Sequence, residues 1–149
     1  LIVRQEGNNA HTHPFVSVYE AYKKSGPNVL GVEALQGDDG CTGVKVNTAD
    51  GYADYLFSAT DMQAHHPSQR VSFCGGLGLI REKEGQIQLM YLGCGRSLKK
   101  GNFVLESDHD VYAAIYMQHG VWYYSATGPV RVKIGKETKE LNEGYNQKL

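Results

Sequence analysis

The sequence predicts an all-β chain, an antiparallel β-sandwich of roughly ten short strands. Two observations carry this. The apolar residues fall in short β-branched and aromatic runs parted by Gly, Asn or Asp, and nowhere keep helical spacing over successive turns. The composition agrees: 10 Tyr and 18 Gly stand against 4 Pro, a mix suited to pleated strands joined by tight turns.

Taken in order, a first run begins after Pro14, at Phe15-Val16-Ser17-Val18-Tyr19-Glu20. Residues 29–35 alternate less cleanly and lead into the turn Gly37-Asp38-Asp39-Gly40. Residues 43–47 and 52–57 flank Ala49-Asp50-Gly51, whose Asp-Gly step predicts a hairpin. A second hairpin is predicted from residues 77–81 to 86–91, across Lys83-Glu84-Gly85. Further strands are expected at 102–106, 111–117, 121–126 and 130–134, the last three separated by Gly120 and by Gly128-Pro129. In the stretch 111–117, Val111, Ala113, Ile115 and Met117 share one face, and Tyr112, Ala114 and Tyr116 the other. Such alternation implies sheets with one face in a core and one face wet. The polar stretch 136–149 is expected to fray.

A chain of 149 residues suffices for one domain with a hydrophobic core, and no boundary, repeat or low-complexity tract divides residues 1–149. Fifteen Lys and Arg nearly cancel sixteen Asp and Glu, leaving a formal charge of -1, so no nucleic-acid partner is expected. No run nears the roughly 20 apolar residues of a membrane-spanning helix, and no membrane partner is expected either. Cys41, Cys74 and Cys94 are odd in number and widely spaced, which argues against a disulfide framework. The chain opens at Leu1, inside the apolar run Leu1-Ile2-Val3, and reads as a piece of a longer polypeptide.

Four groups of residues carry candidate chemistry. His11 and His13 are two apart, so on a strand both imidazoles project from one face, a geometry that suits two zinc ligands. Nothing in the sequence brings His65, His66, His109, Asp61 or Asp108 to complete the set, and surface histidines explain the pair equally well. No cofactor is otherwise implied. His65-His66-Pro67 reads as a loop and Asp108-His109-Asp110 as a turn. Tyr112, Tyr116, Trp122 and Tyr124 sit on neighbouring strands, where their rings would stack on sugar C–H faces; the alternative is packing against a second sheet or a neighbouring domain. Tyr55, Tyr91 and Tyr123 fit cross-strand packing. Basic residues group at Arg96, Lys99 and Lys100, and at Arg131, Lys133 and Lys136; these would contact an acidic polysaccharide, or be solvated strand ends. Gly75-Gly76-Leu77-Gly78 is too short and strand-like for a phosphate loop. The residues show no self-contained active site.

The segment Leu1-Ile2-Val3-Arg4-Gln5-Glu6-Gly7, then His13-Pro14-Phe15-Val16-Ser17-Val18-Tyr19-Glu20-Ala21-Tyr22, resembles the C-terminal β region of heparinase II/III-like polysaccharide lyases. Gly51-Tyr52-Ala53-Asp54-Tyr55-Leu56-Phe57-Ser58 is similar to a later strand of that region, and Arg81, Gly85, Tyr91 and Gly93 fit its rhythm. Ala21 stands where the family usually has Pro. The resemblance implies stacked antiparallel sheets following an α/α-toroid, in enzymes that cleave uronate-containing polysaccharides by β-elimination. The family's catalytic Asn, His and Tyr come largely from the toroid, and its zinc ligands from the first part of the β region. His11-Thr12-His13 is similar to the family's His-x-His metal strand, but lacks the Asp expected shortly downstream, so neither role is carried onto His11 or His13.

The expectation is therefore a non-catalytic accessory domain of a secreted or periplasmic polysaccharide lyase. It would pack against the remainder of its parent polypeptide, bracing the substrate cleft, and would expose an apolar patch when isolated. The alternative is a free-standing carbohydrate-binding module, with Trp122 or its tyrosine neighbours in an open groove. A third reading is a metal-assisted lyase using His11 and His13.

Overall fold

Turn chemistry and β-branched runs together produce strands and no helix among the described residues, which in the computed structural model are 17–20, 26–35, 40–68 and 71–149. Eleven strands form: β1 (Val29–Leu35), β2 (Cys41–Thr48), β3 (Tyr52–Ala59), β4 (His66–Ser68), β5 (Val71–Lys83), β6 (Gln86–Lys100), β7 (Phe103–Gln118), β8 (Val121–Ala126), β9 (Val130–Ile134), β10 (Glu137–Leu141) and β11 (Gly144–Lys148). Every pairing is antiparallel. Both expected hairpins are present. Gly51 takes φ 84° between β2 and β3, while Glu84 and Gly85 take φ 52° and 77° between β5 and β6. His119 and Gly120, at φ 52° and 77°, turn β7 into β8 in the same way. Positive φ at both central residues matches the twist of the flanking strands.

Three strands are much longer than their apolar runs. β5, β6 and β7 have 13, 15 and 16 residues, and each changes partners along its length. Residues 103–106 of β7 pair with β9, and residues 113–118 pair with β8. Residues 66–68 pair with the start of β5, whereas β3 pairs with residues 77–83. The one continuous sheet is thus folded over into two layers. A long layer holds β1, β2, β3, the distal part of β5, the proximal part of β6, the distal part of β7, β8 and β11. A short layer holds β4, the complementary parts of β5, β6 and β7, then β9 and β10.

The fold-over occurs at register shifts between Cys74 and Gly75 on β5, and around Gly95 on β6. Gly75 and Gly95 face one another there. A Cβ on Gly95 would lie 2.7 Å from both the Gly75 Cα and the Cys74 carbonyl oxygen, so the two backbones approach as only glycines allow. Strands that pass from one layer to the other through bulges form the closed corner of such sandwiches.

The inner faces fill the space between layers. Phe57, Phe73, Ile80, Met90, Leu92, Leu98, Leu105 and Ile115 are fully buried. Phe57 of the long layer meets Phe73 of the short layer at 5.9 Å between ring centres, and Phe103 meets Trp122 at the same distance. The alternation expected along residues 111–117 holds: Val111, Ala113 and Ile115 are buried, while Tyr112 is exposed.

Four expectations are corrected. The stretches 102–106 and 111–117 belong to a single strand, β7, so Asp108-His109-Asp110 is not a turn but the part of that strand opposite Arg96, between its two paired stretches. The region 136–149 does not fray; it forms β10 on β9 and β11 on β8. Those strands are polar because they lie at sheet edges with both faces largely wet, so period-2 apolar patterning is absent. His66 is not in a loop but on β4, buried, with its ring beside Phe73 and Nε2 3.0 Å from the Asp61 carbonyl oxygen. Finally, the outer face of the long layer is not wet polar surface.

Candidate functional site

Cross-strand register assigns the outer face of the long layer residue by residue. One row runs Ala34, Val44, Leu56, Leu79, Tyr91, Ala114, Ser125 across β1, β2, β3, β5, β6, β7 and β8. The next runs Val32, Val46, Asp54, Arg81, Leu89, Tyr116, Tyr123 across the same strands. Side chains directly opposite across a ladder point to the same face, so these rows back onto the core without belonging to it. Val44 and Val46 are nevertheless each only 8% exposed. The single ionic interruption is Arg81, whose Nε and Nη2 donate to the two Asp54 carboxylate oxygens at 2.7 Å each. That bidentate pair raises the Arg81 pKa above its ordinary value, and Arg81 also lies over the Tyr52 ring.

Each end of this face has a concavity. At the β2–β3 end, Val18 and Tyr19 join Val44, Val46 and Leu56 around about 500 Å³. Glu20 ties that segment to the start of β1, its carboxylate accepting from the Asn28 and Val29 amides at 2.6 and 3.0 Å. At the β8–β11 end lies a groove of about 610 Å³. Small residues, Ala114, Ser125 and Gly144, form its floor, and Tyr91, Tyr112 and Tyr145 its walls. Tyr112 is 54% exposed and Tyr145 84%. Beside it Tyr116 and Tyr123 stack at 5.9 Å and 17°, and the Tyr116 hydroxyl donates to Asn146 Oδ1. Rings with exposed faces around a small-residue floor can stack on sugar C–H faces while their hydroxyls hydrogen-bond.

The four aromatic residues singled out from the sequence are thus divided by the sheet. Tyr112 and Tyr116 lie on the outer face, at or beside the groove. Trp122 and Tyr124 lie on the inner face, packed against the core, because Trp122 is opposite Met117 and Tyr124 opposite Ile115. Tyr145 escaped notice because the polar residues around it carry no strand signal, and Tyr91 because it reads as ordinary cross-strand packing. His11 and His13 lie outside the described residues. Among the described residues no three His, Cys, Asp or Glu side chains come together as a metal site.

The basic groups are also divided. Arg96, Lys99 and Arg131 share the outer face of the short layer, lining a polar pocket of about 390 Å³. Lys99 pairs with Glu106 at 2.7 Å, Glu106 with Arg131 at 3.0 Å, and Arg131 with Glu140 at 2.5 Å. This ladder of alternating charge crosses β6, β7, β9 and β10. Lys99, then Arg131, hold the Glu106 carboxyl below the usual carboxylate range, and Glu140 and Glu106 raise Arg131. Lys100 points the other way, as strand alternation requires. Its ammonium lies 3.2 Å from the Tyr55 ring centre and 2.9 Å from Glu82, and burial pulls its pKa down.

This geometry offers surfaces for apolar docking, ring stacking and polar contact. Residues 29–117, from β1 nearly to the end of β7, match the family described as the endo-acting ulvan lyase C-terminal domain. The chain is also 32% identical over 114 residues to an endo-acting ulvan lyase of Formosa agariphila (strain DSM 15362 / KCTC 12365 / LMG 23005 / KMM 3901 / M-2Alg 35-1), covering 72% of this chain but only 14% of that protein. No solved structure matches. With more than half its length matched, the chain belongs to the endo-acting ulvan lyase C-terminal domain family, a domain of polysaccharide lyases.

Proposed function

We propose that this chain is a non-catalytic accessory domain that braces the catalytic part of a polysaccharide lyase through the outer face of its long layer. The observation that carries the reading is the apolar stretch Leu77, Leu79 and Tyr91 on the face opposite the core, running out from the part that Val18 and Tyr19 already line; Leu77 is 46% exposed. A sheet apolar on both faces implies a cover on each. The occupant is the remainder of the parent polypeptide, since this chain corresponds to only 14% of its lyase relative. The resemblance to heparinase II/III-like lyases leads us to propose further that the parent is secreted or periplasmic and cleaves a uronate-containing polysaccharide, ulvan among the candidates, by β-elimination. The chain and the upstream catalytic part, produced separately and mixed, should co-elute in size-exclusion chromatography. Leu79→Asp should abolish co-elution while the chain still unfolds in one cooperative transition, at a melting temperature a few degrees lower. Separate elution of the unmodified pair would sink the reading.

The groove between Tyr112 and Tyr145 favours a second reading, that the domain also holds polysaccharide. Electrophoresis through gels containing ulvan, heparin, alginate, hyaluronan or a neutral glucan would test it. Selective retardation by one polymer, lost in Tyr112→Ala, is the expected result; equal mobility in every gel would reject it.

A further inference from the structure

The ionic ladder on the opposite face does more than tie strands together. Its pocket is lined by three cations, Arg96, Lys99 and Arg131, and three carboxylates, Glu106, Asp108 and Glu140, with His65 and His109 beside them. Such a balanced lining suits one carboxylate set among many hydroxyls, the charge spacing of an acidic sugar residue, rather than a cluster of adjacent anionic groups. The guanidinium groups are also held in place with donors to spare. Arg96 uses Nε on Asp110 at 3.0 Å, and Arg131 uses Nε on Glu140 and Nη1 on Glu106; among the described residues their remaining N–H groups have no partner. A guanidinium fixed by one carboxylate is pre-organised to receive a second through its planar fork. The outermost carboxylate, Glu140, has a side chain 69% exposed on an edge strand, so an incoming carboxylate can replace it without stripping water from a buried ion.

A second, independent feature lies at the same place. Ser97 lines the pocket, the residue is only 6% exposed, and its Oγ is buried with no hydrogen-bond partner. A buried hydroxyl left unsatisfied is costly and uncommon.

We propose that this pocket binds one acidic sugar residue, a pyranose bearing a carboxylate. The carboxylate displaces Glu140 on Arg131, and a ring hydroxyl supplies the partner that Ser97 Oγ lacks. A volume of about 390 Å³ falls in the range of small-ligand pockets, ~300–1,000 Å³. The site deepens the acidic-polysaccharide contact proposed above but lies on the other layer, so it stands or falls separately from the docking face and from the tyrosine groove.

The test is calorimetric titration of the 149-residue chain with digalacturonate, using lactose and acetate as neutral-sugar and bare-carboxylate comparisons. Digalacturonate should bind and the other two should not. Glu140→Gln, which removes the internal competitor, should tighten binding about 3- to 10-fold, and Ser97→Ala should weaken it by a similar factor, each corresponding to one hydrogen bond. Arg131→Gln should abolish it. Lactose binding as tightly as digalacturonate, or Glu140→Gln binding no better than the unmodified chain, would overturn the proposal, since a purely structural ladder has no reason to gain affinity when broken. Loss of digalacturonate binding in Tyr112→Ala with Glu140→Gln and Ser97→Ala unaffected would instead assign the contact to the groove.

Discussion

Replacing Gly95 by Ala tests whether the fold-over of the sheet depends on the close approach of β5 and β6. The new Cβ would sit 2.7 Å from the Cys74 carbonyl oxygen, the Gly75 Cα and a Leu92 methyl. Carbon atoms pack best at about 3.5–4.0 Å, so three neighbours must each give roughly 1 Å. Two of the three are backbone in a paired strand and cannot turn aside as a side-chain tip would. Overpacking costs about 1–3 kcal/mol, and the backbone contacts place this site near the upper end. Against that, Ala restricts the unfolded chain and returns about 0.4–1 kcal/mol. The net loss is about 2 kcal/mol, a fall in melting temperature of roughly 4–8 °C for a domain of this size. Thermal unfolding followed by far-ultraviolet circular dichroism measures it. Gly31→Ala is the control, because a Cβ there meets nothing within 4 Å; it should leave the melting temperature unchanged or raise it by a few degrees. If Gly95→Ala melts at or above the unmodified chain, the two strands do not cross as described and the layer assignment fails with them.

Three further outcomes follow from the same geometry. Trp122→Ala, which empties the space beside Phe103, should cost about 3 kcal/mol, whereas the exposed Tyr112→Ala should stay within about 0.5 kcal/mol; differential scanning calorimetry separates them. Because Glu106 titrates lower in the folded chain than in the unfolded one, its contribution is present in full above the usual glutamate range and is lost as pH falls through its folded value. Glu106→Gln should therefore cost about 1 kcal/mol at neutral pH and flatten the acid limb of stability, read as denaturant midpoints between neutral and acid pH; an unchanged acid limb would remove Glu106 from the ladder. Deleting residues 142–149 removes Leu149, whose amide donates to the Trp122 carbonyl at 2.9 Å and whose side chain shares a pocket with that ring. Emission from Trp122, the sole tryptophan, should shift to longer wavelength, and an unshifted spectrum would contradict the docking of β11.

The division of the aromatic residues decides which experiments are informative. A binding test built on Trp122 alone would confuse unfolding with loss of contact, because that ring belongs to the interior. Tyr112, Tyr145 and the outward members of the charge ladder can be changed with the core intact.

Fold class, most strands and their turns, and the alternation along residues 111–117 were legible in the sequence, because period-2 patterning and turn residues are local signals. The sequence also carried the resemblance to a polysaccharide lyase C-terminal region, although the finer family suggested by those strands is not the one matched here. Edge strands β10 and β11 were not legible, since a strand wet on both faces needs no apolar alternation; β4 was not because three residues around Pro67, which is tolerated at an edge, make too short a run. Strand neighbours far apart in the chain set that 103–118 is one strand bent between layers, that Tyr112 and Trp122 look in opposite directions, and that Arg96, Lys99 and Arg131 meet while Lys100 turns inward. Those outcomes depend on which strands become neighbours and on which side the sheet folds over at Gly75 and Gly95. Long-range pairing settles such matters, and no local window of sequence contains them.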